Sequence, residues 1–229
     1  MKLHKVALGA VAAFALAATA TSAMAGGRGS LKDDGRPFSW TGFYVGGQIG
    51  AGWGDNDWFT PATNYPFSWD SSGLFAGAHI GYNKQIGVVV VGVQAEINAS
   101  GIGGHGADPT FAVDYTDDLN WFGSVDARLG ILATPRTLVY AIGGYAFADI
   151  DHTIGSTNGA FARVSFSNNY AGWNIGGGVE HAFSGNFTAR LEYRYYDFGD
   201  ASFPQTGVVL PHSHEFTMHT VRGGVSYKY

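Results

Sequence analysis

Apolar residues alternate one by one with polar or small residues in eight segments of this 229-residue chain. In the last segment Val221, Val225 and Tyr227 fall on one parity, whereas Arg222 and Ser226 fall on the other. A period of two places alternate side chains on opposite faces of a β-strand, while a helix needs a period of 3.6. The alternation therefore predicts an all-β fold with eight strands.

The predicted strands follow one another from residue 43 to the last residue. The 35 glycines oppose helices, because Gly in a helix interior costs about 1 kcal/mol relative to Ala. After residue 25 no apolar run approaches the roughly 20 residues of a transmembrane helix. The fifth strand alternates least regularly. The predicted ranges are 43–53, 74–83, 89–98, 119–131, 138–150, 173–180, 187–196 and 216–229.

The connections between these strands alternate in length. Tight turns are predicted at 84–87, 134–137 and 184–186, and the other connections are long and polar. Short turns at one end and long loops at the other are typical of outer-membrane barrels. The pattern predicts an antiparallel up-and-down transmembrane β-barrel with short periplasmic turns and four long extracellular loops. These loops are predicted at 54–71, 99–117, 151–168 and 199–215.

Charged residues occupy the parity opposite the aliphatic residues, with four acids matched by four bases. Eight strands enclose a space that side chains just fill, and buried charges are tolerable there when they are paired. We therefore predict a plugged interior of glycines and ion pairs. The alternative is a soluble barrel whose apolar face points inward and whose charges are solvated. The predicted interior ion-pair residues are Glu96, Asp126, Arg128, Glu180, Arg190, Glu192, Arg194 and Arg222.

Aromatic residues near the strand ends predict two girdles at the membrane interfaces, although ordinary core packing would also use them. The predicted girdle residues are Trp40, Trp53, Tyr82, Trp121, Tyr140, Trp173, Phe187, Tyr195, Tyr227 and Tyr229.

The first 25 residues have the pattern of a secretory signal peptide: Lys2 and Lys5, a short apolar run, and a small-residue cleavage site at 23–25. Residues 26–39 are polar and patternless, so we expect a flexible periplasmic leader before the barrel domain at 40–229. Removal of the signal peptide leaves eleven of the 13 basic residues against 18 acidic ones. This balance disfavours nucleic acid as a partner. With no cysteine, the exported chain gains no disulfides.

Three stretches carry a resemblance to a known family: W-T-G-F-Y-V-G-G at 40–47, R-L-E-Y-R-Y-Y-D-F-G at 190–199 and H-T-V-R-G-G-V-S-Y-K-Y at 219–229. They resemble the porin-like outer membrane β-barrel family that includes the outer membrane immunogenic proteins of α-proteobacteria. The last stretch is also similar to the sorting signal of the barrel-assembly machinery. The resemblance implies a bacterial outer-membrane location, with outer-membrane lipid, lipopolysaccharide and that machinery as partners. The matching signal residues are Arg222, Gly224, Tyr227 and Tyr229.

Residues with catalytic or metal-binding potential are sparse. Asp149, Asp151 and His152 lie near a predicted rim, but no G-x-S-x-G elbow supplies a nucleophile. His212 and His214 lack a third ligand at close spacing, so a solvated loop is expected there. We therefore predict neither enzyme activity nor a cofactor.

The predicted function is that of a structural, surface-exposed component of the envelope. Porin-like passage of small solutes is one alternative, although a charge-filled lumen of eight strands disfavours it. Binding of a host or ligand by the loops is the other. The first loop is the favoured place for binding because it is rich in aromatic residues, namely Trp58, Phe59, Tyr65, Phe67 and Trp69. The loops are also acidic and could bind divalent cations that bridge to lipopolysaccharide, or could simply be solubilising.

Overall fold

The computed structural model describes residues 38–60, 65–108, 112–158, 162–203 and 212–229. These residues form eight antiparallel strands in chain order, and β1 also pairs with β8, which closes a barrel. The all-β fold and the strand count are confirmed. No helix in this described part of the chain is long and apolar enough to cross a membrane. The strands are β1 (Gly42–Thr60), β2 (Tyr65–Ile86), β3 (Val89–Asp108), β4 (Val113–Thr134), β5 (Thr137–Ser156), β6 (Val164–Ser184), β7 (Phe187–Phe203) and β8 (His212–Lys228).

The two ends of the barrel differ, as the connection lengths predict. At one end, the turn end, two-residue turns join β2 to β3, β4 to β5 and β6 to β7. Gly87 and Gly185 have φ values of 62° and 47° there, a conformation that residues with a Cβ rarely adopt. The predicted signal peptide and leader residues 26–37 lie outside the described residues.

At the opposite end, the hairpin end, the segments predicted as long loops are largely strand. β1 continues to Thr60 and β2 begins at Tyr65, so the first connection is a long β-hairpin. The prediction stopped each strand where apolar alternation stopped. The antiparallel ladder continues past that point because its hydrogen bonds join backbone groups and do not depend on apolar side chains.

The barrel has apolar residues outside and charged residues inside. Ile49 and Leu74 on the outer face are 63% and 67% exposed, whereas Arg194 is fully buried in the interior. A soluble barrel has the reverse arrangement. The polar sets of the alternating strands therefore point inward, as the transmembrane prediction requires.

A β-bulge in β4 changes the predicted facing of two residues. The register between β4 and β5 shifts between Leu119 and Trp121. Leu119 is buried in the interior although its parity predicts the outer face, and Asn120 is exposed outside. An extra residue on one strand inverts the alternation on its far side.

The interior also contains two apolar layers that the predicted filling of ion pairs and glycines omits. The turn-end plug consists of Trp40, Val90, Leu138, Tyr140, Ile142 and Ala182. The hairpin-end plug consists of Phe75, Ile102, Leu119, Phe122, Ala146, Ala148, Ile150, Tyr170, Tyr196, Phe198, Phe216 and Met218. The irregular alternation of β5 has its reason here, because its inward residues are apolar as well as its outward ones.

Aromatic pairs lie on the outer face near both ends of the apolar belt. Phe187 and Tyr227 contact each other at 5.1 Å between ring centroids near the turn end. Towards the hairpin end, Trp173 lies 5.6 Å from Tyr195. The assignment of Trp40 and Tyr140 to the girdles is wrong: both are buried in the turn-end plug, because Trp40 precedes β1 and Tyr140 has inward parity.

Candidate functional site: the charged network of the barrel interior

Arg194 is the centre of a buried charged network between the two plugs. Residues 190, 192, 194 and 196 of β7 share one parity, which places their side chains in the lumen. Arg194 Nε donates to Glu192 Oε1 at 2.6 Å, and Nη1 donates to Asp126 Oδ2 at 2.7 Å. Its Nη2 donates to Glu96 Oε2 at 3.1 Å. One guanidinium thus joins β3, β4 and β7 across the lumen.

Arg222 of β8 extends this network. Its Nη1 donates to Glu96 Oε1 at 2.5 Å, and its Nη2 donates to the hydroxyl of Tyr196 at 2.7 Å. That hydroxyl in turn donates to Glu96 Oε1 at 3.1 Å. The Arg222 guanidinium also lies 5.0 Å from the ring of Phe75, within cation–π range. Arg222 therefore connects the charged network to the hairpin-end plug.

A separate ion pair lies nearer the turn end. Arg128 Nη2 donates to Glu180 Oε2, and Glu180 Oε1 accepts a hydrogen bond from the Thr188 hydroxyl at 2.5 Å. The Arg128 guanidinium lies 3.6 Å from the ring centroid of Tyr140. The face of the Tyr140 ring attracts the Arg128 guanidinium by a cation–π interaction, in addition to the ion pair with Glu180.

Arg190 differs from the other three arginines. It was predicted to form an ion pair, but its guanidinium donates to the amide oxygens of Gln94 at 2.6 Å and Gln48 at 2.5 Å. Glu192, two residues along β7, already accepts from Arg194 and from the Tyr140 hydroxyl. The structure thus brings the other seven predicted residues into ion pairs and surrounds Arg190 with amides.

Neutral polar side chains complete the network, and the prediction, which considered charges, missed them. Asn174 donates to Asp126 Oδ1 at 2.7 Å, and Asn98 donates to Glu96 Oε1 at 3.1 Å. Ser124 donates to Asp126 Oδ2 at 2.7 Å. Inward parity was the signal that could have identified them. Their hydrogen bonds satisfy carboxylate lone pairs that the arginines do not reach.

Glycine makes room for the network at several close contacts, of which Gly176 is an example. A Cβ built on Gly176 of β6 would lie 2.6 Å from Cγ of Arg194. The strand glycines predicted as interior filling therefore have a specific use here: they let the long arginine side chains lie across the neighbouring backbone.

A second polar cluster lies at the hairpin end. His152 is fully buried, with Nδ1 at 2.6 Å from Asp117 Oδ1 and Nε2 at 2.8 Å from the Tyr170 hydroxyl. Burial raises the pKa of Tyr170, and the charge of Asp117 raises it further. Asp149 and Asp151 lie on the other face of β5, where Asn120 donates to both. The three residues near the predicted rim therefore do not form one site.

The predicted assembly-signal residues occupy different environments. Arg222 belongs to the charged network, and Gly224 lies in β8, where a Cβ would be 3.1 Å from the Gly47 carbonyl oxygen. Tyr227 and Tyr229 are exposed at the turn end, with ring centroids 5.1 Å apart.

Other predicted functional residues are only partly described. The side chains of His212 and His214 lie outside the described residues, as do those of the aromatic residues of the first predicted loop except Trp69. Trp69 is buried and stacks on Tyr115 at 5.5 Å. Among the described side chains, no group of three or more His, Asp or Glu residues could hold a metal ion.

Known proteins resemble this chain in both sequence and fold. The family described as "Outer membrane protein beta-barrel domain" matches residues 6–228. The 31 kDa outer-membrane immunogenic protein of Brucella melitensis biotype 1 is 31% identical over 206 residues, covering 84% of this chain and 85% of the relative. The 22 kDa outer membrane protein of Rhizobium leguminosarum bv. viciae is 31% identical over 162 residues, 70% of this chain and 65% of that protein.

Solved structures are similar to this chain at low sequence identity. The outer membrane protein OprG of Pseudomonas aeruginosa has a TM-score of 0.48 at 11% identity, covering 82% of this chain and 97% of that one. Ail of Yersinia pestis has a TM-score of 0.40 at 13% identity, with 82% and 99% covered. Because the family match spans nearly the whole sequence and the apolar face of the closed barrel points outward, the chain belongs to the outer membrane β-barrel protein family and resides in the bacterial outer membrane.

Proposed function

We propose that this protein is a structural, surface-exposed component of the outer membrane whose lumen is closed to solutes. The observation that carries the proposal is the three-layered interior, in which two apolar plugs enclose the network around Arg194. An aqueous pore requires a continuous polar path, and each apolar layer interrupts it. Eight-stranded barrels also have just enough interior space for their own side chains.

The charged layer supports the same conclusion. Glu96 is shared between Arg194 and Arg222, so opening a passage through the middle would expose a charge that has lost its partner. Breaking a buried pair by removing one partner costs about 3–5 kcal/mol. A conducting state would therefore be rare in the unmodified protein.

Planar-bilayer recording tests this function. We expect the purified barrel to insert without sustained conductance steps, because the plugs leave no solvent path. Stable open steps would contradict the closed lumen and would favour porin-like passage. A variant with Phe122→Ala in the hairpin-end plug and Tyr140→Ala in the turn-end plug removes one aromatic ring from each apolar layer, and it controls for insertion if it conducts when the parent does not.

The hairpin end would be the surface-exposed part. The 31 kDa relative is named an outer-membrane immunogenic protein, which supports exposure at the cell surface. Ligand binding there has no comparable support from the described residues. Antibodies raised against the first hairpin should label intact cells, and labelling only after cell lysis would contradict the proposed orientation.

Lipid contacts would follow from the outer face of the barrel. The exposed apolar belt would contact acyl chains, and outward acids at the hairpin end, such as Asp149 and Asp151, would face lipopolysaccharide through divalent cations. Chelation of divalent cations should then lower the temperature at which the folded band disappears from gels. The same shift in an Asp149→Asn, Asp151→Asn variant would rule out these two carboxylates.

We also propose that Tyr227 and Tyr229 act in recognition by the barrel-assembly machinery, since an unpaired strand edge with an aromatic face can be templated by another sheet edge. Deletion of Tyr229 should reduce assembled barrel in the outer membrane. Tyr145→Ala is the matched control, because that residue is an exposed aromatic of the outer face far from the chain end. Equal assembly of both variants would argue against the signal.

A further inference from the structure

The segment that precedes β1 does not belong to the barrel sheet, although it is held inside the barrel. β1 begins at Gly42, yet Trp40 is 1% exposed and is part of the turn-end plug. Gly42 has a φ of 142°, and a Cβ there would lie 2.6 Å from the Tyr229 carbonyl oxygen. The chain therefore turns at a glycine from the outer rim into the lumen.

Hydrogen bonds join this segment to the neighbouring strand β2, where the Gln85 amide also donates to Thr41 Oγ1 at 2.9 Å, and to the β4–β5 turn across the barrel. The Trp40 amide donates to Gln85 Oε1 at 3.0 Å, and its indole Nε1 donates to the Pro135 carbonyl oxygen at 3.3 Å. Phe38 packs edge-on against Trp40 at 5.0 Å between centroids. Gln85 and Pro135 lie by the β2–β3 and β4–β5 turns, so Trp40 spans the periplasmic mouth.

Buried polar groups lie next to the turn-end plug that contains Trp40. Thr188 pairs in register with Ala182 of the turn-end plug and donates to Glu180, the partner of Arg128. Ser226 pairs with Thr188 and contacts His79 Nε2 at 2.8 Å. Displacement of the Trp40 ring would expose this part of the charged layer to the periplasm.

We propose that residues 38–41 form a strap that closes the periplasmic mouth, with Trp40 as the stopper that controls solvent entry to the turn-end half of the lumen. This inference rests on the proposed closed lumen and adds the element that regulates it. A segment outside the ladder can open without breaking strand pairing, so its opening is a local event with a lower free energy than unfolding.

Cysteine labelling tests the strap, because the chain has no native cysteine. Ser226→Cys places a thiol behind the strap, and a charged, membrane-impermeant thiol reagent reports its access to solvent. In the otherwise unchanged protein the thiol should react slowly. Adding Trp40→Ala should accelerate labelling at least about tenfold, because opening of the strap then no longer has to expose a buried indole to water. Trp40→Phe should retain most of the protection.

Two controls separate opening of the strap from general loosening. Trp53→Ala removes a tryptophan of the outer face and should leave the labelling rate unchanged. Ser124→Cys lies in the charged network and should stay protected with or without Trp40. Rapid labelling of Ser124→Cys in the Trp40→Ala background, or equal rates at Ser226→Cys with and without Trp40, would overturn the strap.

If Trp40→Ala yields no folded band in unheated gels, Gln85→Ala is used instead. This variant removes the hydrogen bond from the Trp40 amide to Gln85 Oε1 and keeps the Trp40 ring. A faster rate at Ser226→Cys supports the strap, and an unchanged rate rejects it.

Conductance measurements distinguish a failure of the proposed closed lumen from a failure of the proposed strap. Open steps in the unmodified protein would end the proposed function, whereas Trp40-independent labelling in a non-conducting protein would end only the strap.

Discussion

Arg194 illustrates how a single residue determines whether buried charge is tolerated in this barrel. Its guanidinium has three carboxylate partners, and each of those accepts further hydrogen bonds from other side chains. Desolvating an ion costs several kcal/mol, and only complete pairing offsets that cost. The network therefore depends on all of its members, and the loss of one leaves its partners with incomplete compensation.

Replacement of Arg194 by Met should destabilise the folded barrel by about 3–5 kcal/mol, because Asp126 and Glu192 would remain buried with fewer partners. Urea unfolding of the protein in lipid vesicles measures this loss. Arg163→Ala is the matched control: Arg163 pairs with Asp114 at 2.8 Å, and although the Asp114 side chain is only 9% exposed, that of Arg163 is 68% exposed, so water reaches the pair from the arginine side. That change should cost less than about 1 kcal/mol. Similar losses for the two variants would contradict a special role for burial.

At the scale of an element, the turns and the bulge determine how the strands present their faces. Gly87 and Gly185 let two-residue turns reverse the chain with the right-handed twist of the strands. The bulge in β4 then inverts the facing of Leu119 and Asn120, so Leu119 enters the hairpin-end plug. Two of the three tight turns were readable from glycine positions and the third from Pro135, whereas the bulge left no clear mark in the alternation.

Gly185→Ala should destabilise the barrel by about 1–2 kcal/mol although nothing lies within 4 Å of the added Cβ, because its φ of 47° is unfavourable for residues with a Cβ. The same urea unfolding measures it. Gly223→Ala is the control: its added Cβ also finds open space, with the nearest heavy atom at 4.0 Å, and its φ is not positive. A neutral Gly185→Ala would show that the turn relaxes freely.

The whole molecule is organised by the polarity of its two faces. The outer face offers aliphatic and aromatic side chains to lipid, and the inner face carries the charged layer between two plugs. Each of the eight described strands forms backbone hydrogen bonds with two neighbouring strands, so the closed barrel presents no unpaired sheet edge to lipid. The six tryptophans include residues of both faces, so they report this organisation directly.

Variants that keep a single tryptophan, with the others changed to Phe, test the two faces in vesicles of brominated lipid. Trp173 is 48% exposed on the outer face, and its fluorescence should be strongly quenched by bromine on the acyl chains. Trp40 lies inside the lumen and should be quenched little. Quenching of both to the same extent would contradict the placement of one inside and one outside.

The sequence by itself determined the number and order of strands, the turn positions and the face that meets lipid. These follow from local features: a period of two in side-chain polarity, and glycine or proline where the chain reverses. The inward charges of β7 and β8 were identifiable for the same reason. The family was also readable from the motifs of β1, β7 and β8.

Only the tertiary structure decided how far the strands run, where the bulge lies, and which groups meet inside. Strand length depends on backbone pairing, and the alternation of apolar and polar residues does not report that pairing where the strand residues are all polar. Contacts across the lumen depend on the stagger of strands around the ring, so parity could place Arg190 inside but could not assign it to Gln94 and Gln48. Trp40 was misplaced because it precedes the first strand, where alternation ends and only the closed barrel offers its side chain a buried site.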